Sequence, residues 1–398
     1  MAKFAGTAST YKIIMNKKLI RITTVPMALR YLLPGQMRFM ADNGFEVLMI
    51  SADGRELAEV IEAEKCRHII VPMTRKITPL QDIKCLFKLI RIFRKEKPDI
   101  IHTHTPKAGL LGMLAAKICG IKIRIHTVAG LPLMAETGFK YRLLKFIEKL
   151  TYAASSQVWP NSNSLLEFIT EHKLTDPQKL RIIGKGSTNG IDLNRFNPDI
   201  LDEKVITEIK GQINYSAQNI YILCIGRLVV DKGIAELVTV FSLLQKGYPS
   251  LKLVLVGDYE TTLDPLPMAT LNEIEKNDAI LHINWTNHVA YYIYLANYFV
   301  FPSHREGFPN VLLQAGAMQL PVICSRITGN IDIVANNETG LLFETGNDQQ
   351  ILSLLEYAIT QPQHMQIMAK KLQQEIQENY RQENIWQNIL AAYKTLVN

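Results

Sequence analysis

Apolar residues along the chain recur in two alternating rhythms. Short runs of Ile, Val and Leu are separated by longer stretches in which apolar positions return every three or four residues. The short runs predict strands at Lys18–Thr23, Glu46–Ile50, His68–Val71, Ile100–His102, Ile121–Thr127 and Ser156–Pro160. The periodic stretches Leu32–Asn43, Leu80–Lys95, Ala108–Cys119, Tyr141–Ala153 and Ser164–Glu171 predict helices between them. A polar stretch, Ile191–Gln218, interrupts this pattern. The alternation then restarts, with strands expected at Tyr221–Ile225, Leu251–Val256, Ile280–Ile283, Tyr298–Phe301 and Pro321–Cys324. Ile234–Gln245, Val289–Ala296 and Asn310–Met318 read as helices, and Gln374–Val397 as one long terminal helix.

Strands that are apolar at nearly every position are buried on both faces, which requires a parallel sheet with helices on either side. Consecutive right-handed strand–helix–strand units then wind such a sheet in both directions. The expected fold is therefore α/β, with two doubly wound parallel-sheet (Rossmann-like) domains facing a cleft. One domain covers 15–198 and the other 199–375. Met15 followed by basic residues and the first strand reads as a natural start, so residues 1–14 read as an extension.

Composition narrows the class. Of 398 residues, 47% are hydrophobic and 20% charged, which is globular and neither disordered nor fibrous. The longest apolar runs, around Leu110–Ile118 and Tyr291–Pro302, are broken by Lys117 and Asn297 and fall short of the roughly 18 residues a membrane span needs. The five cysteines (Cys66, Cys85, Cys119, Cys224, Cys324) are scattered with no CxxC, which disfavours a zinc site or disulfide framework and suits a reducing cytoplasm. Charge is uneven. The first 200 residues hold 31 Lys and Arg against 17 Asp and Glu, whereas the rest hold 13 against 20. One lobe is thus expected to face something anionic. No recognition helix or basic–aromatic ribbon points to nucleic acid.

Four clusters carry candidate chemistry, three at expected strand ends, where doubly wound sheets bind ligands, and one in the loop between the domains. Gly226-Arg227…Lys232-Gly233 follows one strand and precedes a helix. Its two cations beside a helix N-terminus form a candidate diphosphate clamp, or else two solvated loop cations. In His304-Arg305-Glu306-Gly307-Phe308-Pro309-Asn310, Pro309 suits a first helical turn. The amides of Asn310, Val311 and Leu312 are then expected to lack intrahelical partners. Glu306 reads either as a structural cap or as an acceptor for ligand hydroxyls, and Gln314 lies one turn further on. His102 and His104 share one strand face, and with no further ligand nearby they are expected to be hydrogen-bonding residues and not metal ligands. Asn189-Gly190 permits left-handed backbone and by itself marks only a turn.

Taken together and in order, these clusters resemble the retaining nucleotide-sugar glycosyltransferases of family 4, the group 1 transferases, which have the GT-B fold. The resemblance runs through His104-Thr-Pro-Lys107-Ala-Gly, Asn189-Gly-Ile-Asp192…Phe196-Asn-Pro, Gly226-Arg227-Leu…Lys232-Gly233, Leu255-Val-Gly257 and Glu306-Gly-Phe-Pro…Gln314-Ala. It implies transfer of a hexosyl or N-acetylhexosaminyl unit from a UDP- or GDP-sugar. Arg227 and Lys232 hold the diphosphate in this reading, and Glu306 contacts the donor sugar. Gly307, Phe308, Asn310, Val311, Leu312 and Gln314 complete the donor site. The N-terminal domain, with His104, Lys107 and Gly130, takes the acceptor, and segment 376–398 packs back onto it. No cofactor or divalent metal is implied.

Two departures stand out. The family's second glutamate is Gln314 here, and its usual His-Gly is Ala129-Gly130, which leaves His126 as the nearest histidine for the catalytic role. The usual glycine-rich loop after the first strand is replaced by Thr23–Arg30. Basic amphipathic stretches Leu80–Lys97 and Gly138–Leu150 fit an anionic membrane surface and a polyprenyl-diphosphate-linked saccharide acceptor, in surface polysaccharide assembly at the cytoplasmic membrane face. Two alternatives stay open: a sugar-nucleotide epimerase of similar fold, and a non-enzymatic binding scaffold.

Overall fold

In the computed structural model, which describes residues 17–262 and 264–398, the expected strands pair into two six-stranded sheets. The first contains β1 (Lys17–Ile22), β2 (Phe45–Ser51), β3 (Arg67–Ile70), β4 (Ile100–His104), β5 (Ile123–Val128) and β6 (Gln157–Pro160) in the order β3-β2-β1-β4-β5-β6. The second contains β7 (Ile220–Ile225), β8 (Leu251–Val256), β9 (Ile280–Ile283), β10 (Tyr298–Phe301), β11 (Val322–Ser325) and β12 (Leu341–Phe343) in the order β12-β11-β10-β7-β8-β9. Every pairing is parallel. The two sheets have the same winding. In each, the first strand lies beside the fourth, and the loops leaving those strands diverge at a switch point.

The chain divides into two compact units, 1–189 with 383–398, and 190–382. Leu19, Ile20 and Ile22 of β1 and Ile222, Leu223 and Cys224 of β7 are buried, as continuous apolar strands require. In the first unit, Ile385, Ile389, Leu390 and Tyr393 of the last helix share a core with Leu19, Met40 and Trp159. The expected extension at residues 1–14 and the start at Met15 lie outside the described residues.

Four expectations change. The single terminal helix is two, Pro362–Asn379 and Gln382–Val397, separated at Tyr380 and Arg381 where the backbone pairs with Ile191. Leu32–Asn43 is also interrupted, by Gly35 at φ +78°, between helices Pro26–Leu32 and Gln36–Asp42. The polar stretch contains the helix Glu203–Gln212, whose N-cap Asp202 accepts from the Lys204 amide. The edge strand β12 and the helix Asp348–Thr360 lie beyond the expected elements. Three residues are too few to show a period.

Candidate active site

In the second unit the switch point lies between β7 and β10, and the two clusters that follow these strands meet there. Gly226 and Gly257 bring backbones together. A Cβ on Gly257, at φ +143°, would stand 1.9 Å from the Gly226 carbonyl oxygen. Gly233, at φ +67°, closes the turn before the helix Ile234–Gly247, and a Cβ there would stand 2.2 Å from the Pro302 carbonyl oxygen. Only glycine permits both the dihedral and the approach.

This packing delivers the Lys232 ammonium to the Glu306 carboxylate as a short ion pair, with both side chains 16% exposed. The ammonium also reaches Ser303 Oγ at 3.4 Å and lies 5.7 Å from the centroid of the Phe301 ring. Two neighbouring pairs run alongside: Arg305 Nη2 to Asp231 Oδ2 at 2.7 Å, and His304 Nε2 to Glu236 Oε1 at 2.8 Å. Arg227 is exposed, and among the described residues its guanidinium has no protein partner. One cation is thus held against a carboxylate, and a second stands available to an anion.

The helix Asn310–Ala317 begins beside this pair, with Pro309 as its N-cap and not in its first turn. The Gly307 carbonyl lies 2.5 Å from where a Cβ on Gly329 would stand. The amides of Asn310 and Val311 remain outside the helical ladder. That of Leu312 does not, because it donates to the Pro309 carbonyl at 3.1 Å. Leu312, expected to offer its amide to the donor, is instead a buried core residue with a satisfied N–H. Phe308, expected at the donor, is also buried and packs on Tyr380 with ring centroids 5.5 Å apart. Gln314 is half-buried, and among the described residues its side-chain amide has no partner.

In the first unit the corresponding loops leave β1 and β4, and Thr24 and Thr105 join them through a hydroxyl–hydroxyl bond of 2.8 Å. The acceptor-side expectations change here. His104 is 2% exposed and stacks on His102 at 4.3 Å, with both ring nitrogens buried and unpartnered. Burial holds both imidazoles well below the usual histidine range, so both are neutral. Lys107 does not offer a free ammonium. It donates to Asp82 Oδ1 at 2.7 Å, Thr78 Oγ1 at 3.1 Å and Thr74 Oγ1 at 3.2 Å, and also bonds the Lys76 carbonyl. These bonds use up a three-donor group, which pins the 74–82 segment.

His126, the expected catalytic histidine, is buried against the first turn of the helix Pro106–Ile118. It is 3% exposed, bonded to Thr103 Oγ1 at 2.8 Å, and covers Gly109, where a Cβ would stand 2.4 Å from its Cε1. Burial pushes its pKa down to about 4. Along β5 the side chains alternate, so His126 and the position that follows it face opposite sides of the sheet. Gly130 is half-buried beyond the end of that strand, with φ +149°.

The sequence reading missed a buried network beneath these strand ends. Arg21 is fully buried and donates to the Tyr393 hydroxyl, to Gln36 Oε1 and to His102 Nδ1, the last at 3.1 Å. His102 Nε2 lies 2.7 Å from Thr127 Oγ1. An arginine among the apolar residues Leu19, Ile20 and Ile22 was the available signal.

Comparison with known proteins decides the family. Residues 205–382 match the model described as glycosyl transferases group 1, and residues 22–162 match glycosyl transferase 4-like. The chain is 34% identical over 385 residues to the capsular polysaccharide biosynthesis glycosyltransferase CapM of Staphylococcus aureus, covering 96% of this chain and 98% of that protein. The chain belongs to the group 1 glycosyltransferases. The glycosyltransferase is also 27% identical over 350 residues to an Escherichia coli UDP-Gal:alpha-D-GlcNAc-diphosphoundecaprenol alpha-1,3-galactosyltransferase, covering 86% of this chain and 87% of that one. Its fold superposes on Anabaena HepE, solved with UDP and glucose, with a TM-score of 0.77 at 16% identity over 95% of this chain and all of that one. The fold is GT-B. Family membership along the whole chain favours glycosyl transfer over the epimerase and scaffold alternatives. Among the described residues, no helix of the glycosyltransferase is long and apolar enough to cross a membrane, and no group of three or more His, Cys, Asp or Glu could hold a metal ion.

Proposed function

We propose that this glycosyltransferase moves a sugar from a uridine-diphosphate sugar to a hydroxyl of a lipid-diphosphate-linked saccharide, with retention, in surface polysaccharide assembly. The observation that carries the reading is the Lys232–Glu306 pair at the switch point, with Arg227, on the same segment after β7, exposed and unpartnered among the described residues. Lys232 and Arg227 bind the diphosphate, the free amides of Asn310 and Val311 add donors, and Glu306 accepts from the sugar hydroxyls. As the bond from the anomeric carbon to the diphosphate oxygen breaks, negative charge grows on that oxygen. Preorganised cations and amides stabilise it there without reorganising. The acceptor hydroxyl attacks from the same face and passes its proton to the departing diphosphate. No histidine base is required, which fits the burial of His126 and the presence of Ala129. In this reading protein cations do the work of a divalent metal. The donor and acceptor types follow those of the Escherichia coli galactosyltransferase, and the polysaccharide setting follows the Staphylococcus aureus relative.

The acceptor reading extends to an anionic bilayer on the cytoplasmic side. Helices Pro79–Glu96 and Gly138–Ala154 both pack against Pro106–Ile118, which places them on one face of the first unit. That face exposes Leu80, Phe87, Phe139 and Phe146 among Lys84, Lys88, Arg91, Arg142 and Lys149. Aromatic side chains in a field of cations suit the headgroup region of anionic lipid.

Calorimetric titration of the full chain with UDP, GDP and their sugars tests the donor, and transfer to undecaprenyl-diphosphate-linked GlcNAc tests the acceptor. Selective UDP binding and an α-linked product from an α-donor are expected. A folded protein that binds no nucleotide overturns the donor assignment, and a β-linked product overturns retention.

A further inference from the structure

The three residues after Ser303 each pair with a residue of the segment after β7. His304 meets Glu236, Arg305 meets Asp231, and Glu306 meets Lys232. Backbone bonds add to this seam. The His304 amide donates to the Asp231 carbonyl at 2.9 Å, and Ser303 Oγ lies 3.4 Å from the same oxygen. The Asp231 amide is itself held by Asp264 Oδ2 at 2.8 Å. Asp231 and Arg305 are each the immediate chain neighbour of a residue in the Lys232–Glu306 pair.

We infer that Asp231 and Arg305 are positioning residues, which hold the two strand-end loops in the register that places Lys232 and Glu306 at the donor diphosphate and sugar. The inference rests on the donor-site reading above and adds to it a pair that touches neither reacting atom. Arg305 Nε is buried without a hydrogen-bond partner, an unfavourable arrangement that an uncharged residue would avoid. The arginine's interaction with Asp231 offsets that penalty. During donor binding Lys232 must shift from Glu306 toward phosphate. The neighbouring Asp231–Arg305 bond keeps the backbones fixed while it does so, because it connects the same two loops through different side chains.

The pair also accounts for a design constraint. A lysine ammonium is a point charge on a flexible stem, and its placement depends on the backbone that carries it. Lys232 lies in a single turn between Val229 and Gly233, with no regular element of its own length to stiffen it. A crosslink from the adjacent residue supplies that stiffness.

The test uses the full chain carrying Asp231→Asn, Arg305→Gln, Arg305→Lys and the double variant Asp231→Asn/Arg305→Gln. UDP affinity, donor and acceptor KM, kcat and melting temperature are measured. Each single neutral variant is expected to raise donor KM about tenfold with acceptor KM unchanged, and the double variant is expected to be no worse than the weaker single one, because both remove one bond. Arg305→Lys should recover part of the loss, since one Nη2 contact is all that must be replaced. A purely structural role lowers the active fraction, and so kcat, with both KM values unchanged, and that result overturns the inference. So does an Asp231→Asn variant that binds UDP as well as wild type while Arg305→Gln does not, since Arg305 then contacts the donor directly. If wild type binds no UDP, the donor-site reading fails and takes this inference with it. If wild type binds UDP and every variant matches it, the inference alone fails.

Discussion

The indole Nε1 of Trp386 donates to Asn189 Oδ1 at 2.7 Å, joining the last helix to the residue at which the chain leaves the first unit. The same oxygen accepts from Gln36 Nε2 at 2.8 Å, and Asn189 Nδ2 donates to the Pro34 carbonyl at 3.0 Å. Gly35 makes room for the ring, since a Cβ there would stand 2.7 Å from Trp386 Cη2. Asn189, which in sequence marks only a turn, is 4% exposed and a hub of side-chain bonds. Trp386→Phe removes one of these bonds while keeping much of the ring packing. It should lower stability by about 1–2 kcal/mol. Urea unfolding followed by circular dichroism measures this, and UDP affinity should be unchanged.

Lys232→Ala and Arg227→Ala separate two kinds of cation. Arg227 is exposed and, among the described residues, has no partner for its guanidinium, so its loss should leave the melting temperature unchanged while kcat/KM falls about 10- to 100-fold. Lys232→Ala also strands the Glu306 carboxylate, so it should lower both activity, by about 100- to 1,000-fold, and stability. Steady-state kinetics with thermal unfolding reads both, and near-normal rates in either variant rule out the clamp.

Among the described residues the side-chain amide of Gln314 has no partner, and it stands where the family resemblance implies a carboxylate. Gln314→Glu supplies a charged acceptor, and hydrogen bonds to charged groups are about twice as strong as neutral ones. UDP-sugar affinity should rise a few-fold by calorimetry. A large loss would show that Gln314 donates to the ligand through its NH2 group.

Buried ionisable groups give the first unit a stability optimum in pH. Burial pushes the Glu148 carboxyl up to about 7, so the folded state binds more protons than the unfolded state from about pH 4.5 to 7. Stability from this group is full below that window and falls as pH rises through it. His126, pushed down to about 4, and the more deeply shifted His102 and His104 act oppositely. Their contribution is full above about pH 6.5 and is lost on acidification toward the folded values. Glu148→Gln should therefore stabilise the protein by about 3 kcal/mol at pH 8 and by little at pH 4.5. Unfolding curves at the two pH values check the sign.

Much of the architecture was legible because a parallel strand buried on both faces needs an unbroken apolar run. Leu251–Val256, Ile280–Ile283 and Tyr298–Phe301 are strands at the positions their composition implied. The elements that escaped carry no such run. β12 is a three-residue edge strand, and the helix Glu203–Gln212 lies in a polar stretch and rests on a capping aspartate. The candidate donor cluster was legible as a set of residue types, since Gly, Arg, Lys and Glu stood at the ends of strands.

Which of those residues stand free, and which are already engaged, was decided by tertiary structure. Lys107 and Lys232 look alike in sequence. Lys107 is used up by Asp82 and three oxygens of the 74–78 segment, whereas Lys232 is delivered to Glu306. His126 and Thr127 are neighbours, but strand alternation turns them to opposite faces, and the missing side chain at Gly109 leaves room to bury the histidine under the helix Pro106–Ile118. Periodicity by itself determined the layers, because burial acts on each residue according to its own polarity. Partnership depends on which distant backbones approach one another. Gly233 against Pro302 and Gly257 against Gly226 set that approach, and it has no expression in any single stretch of the chain.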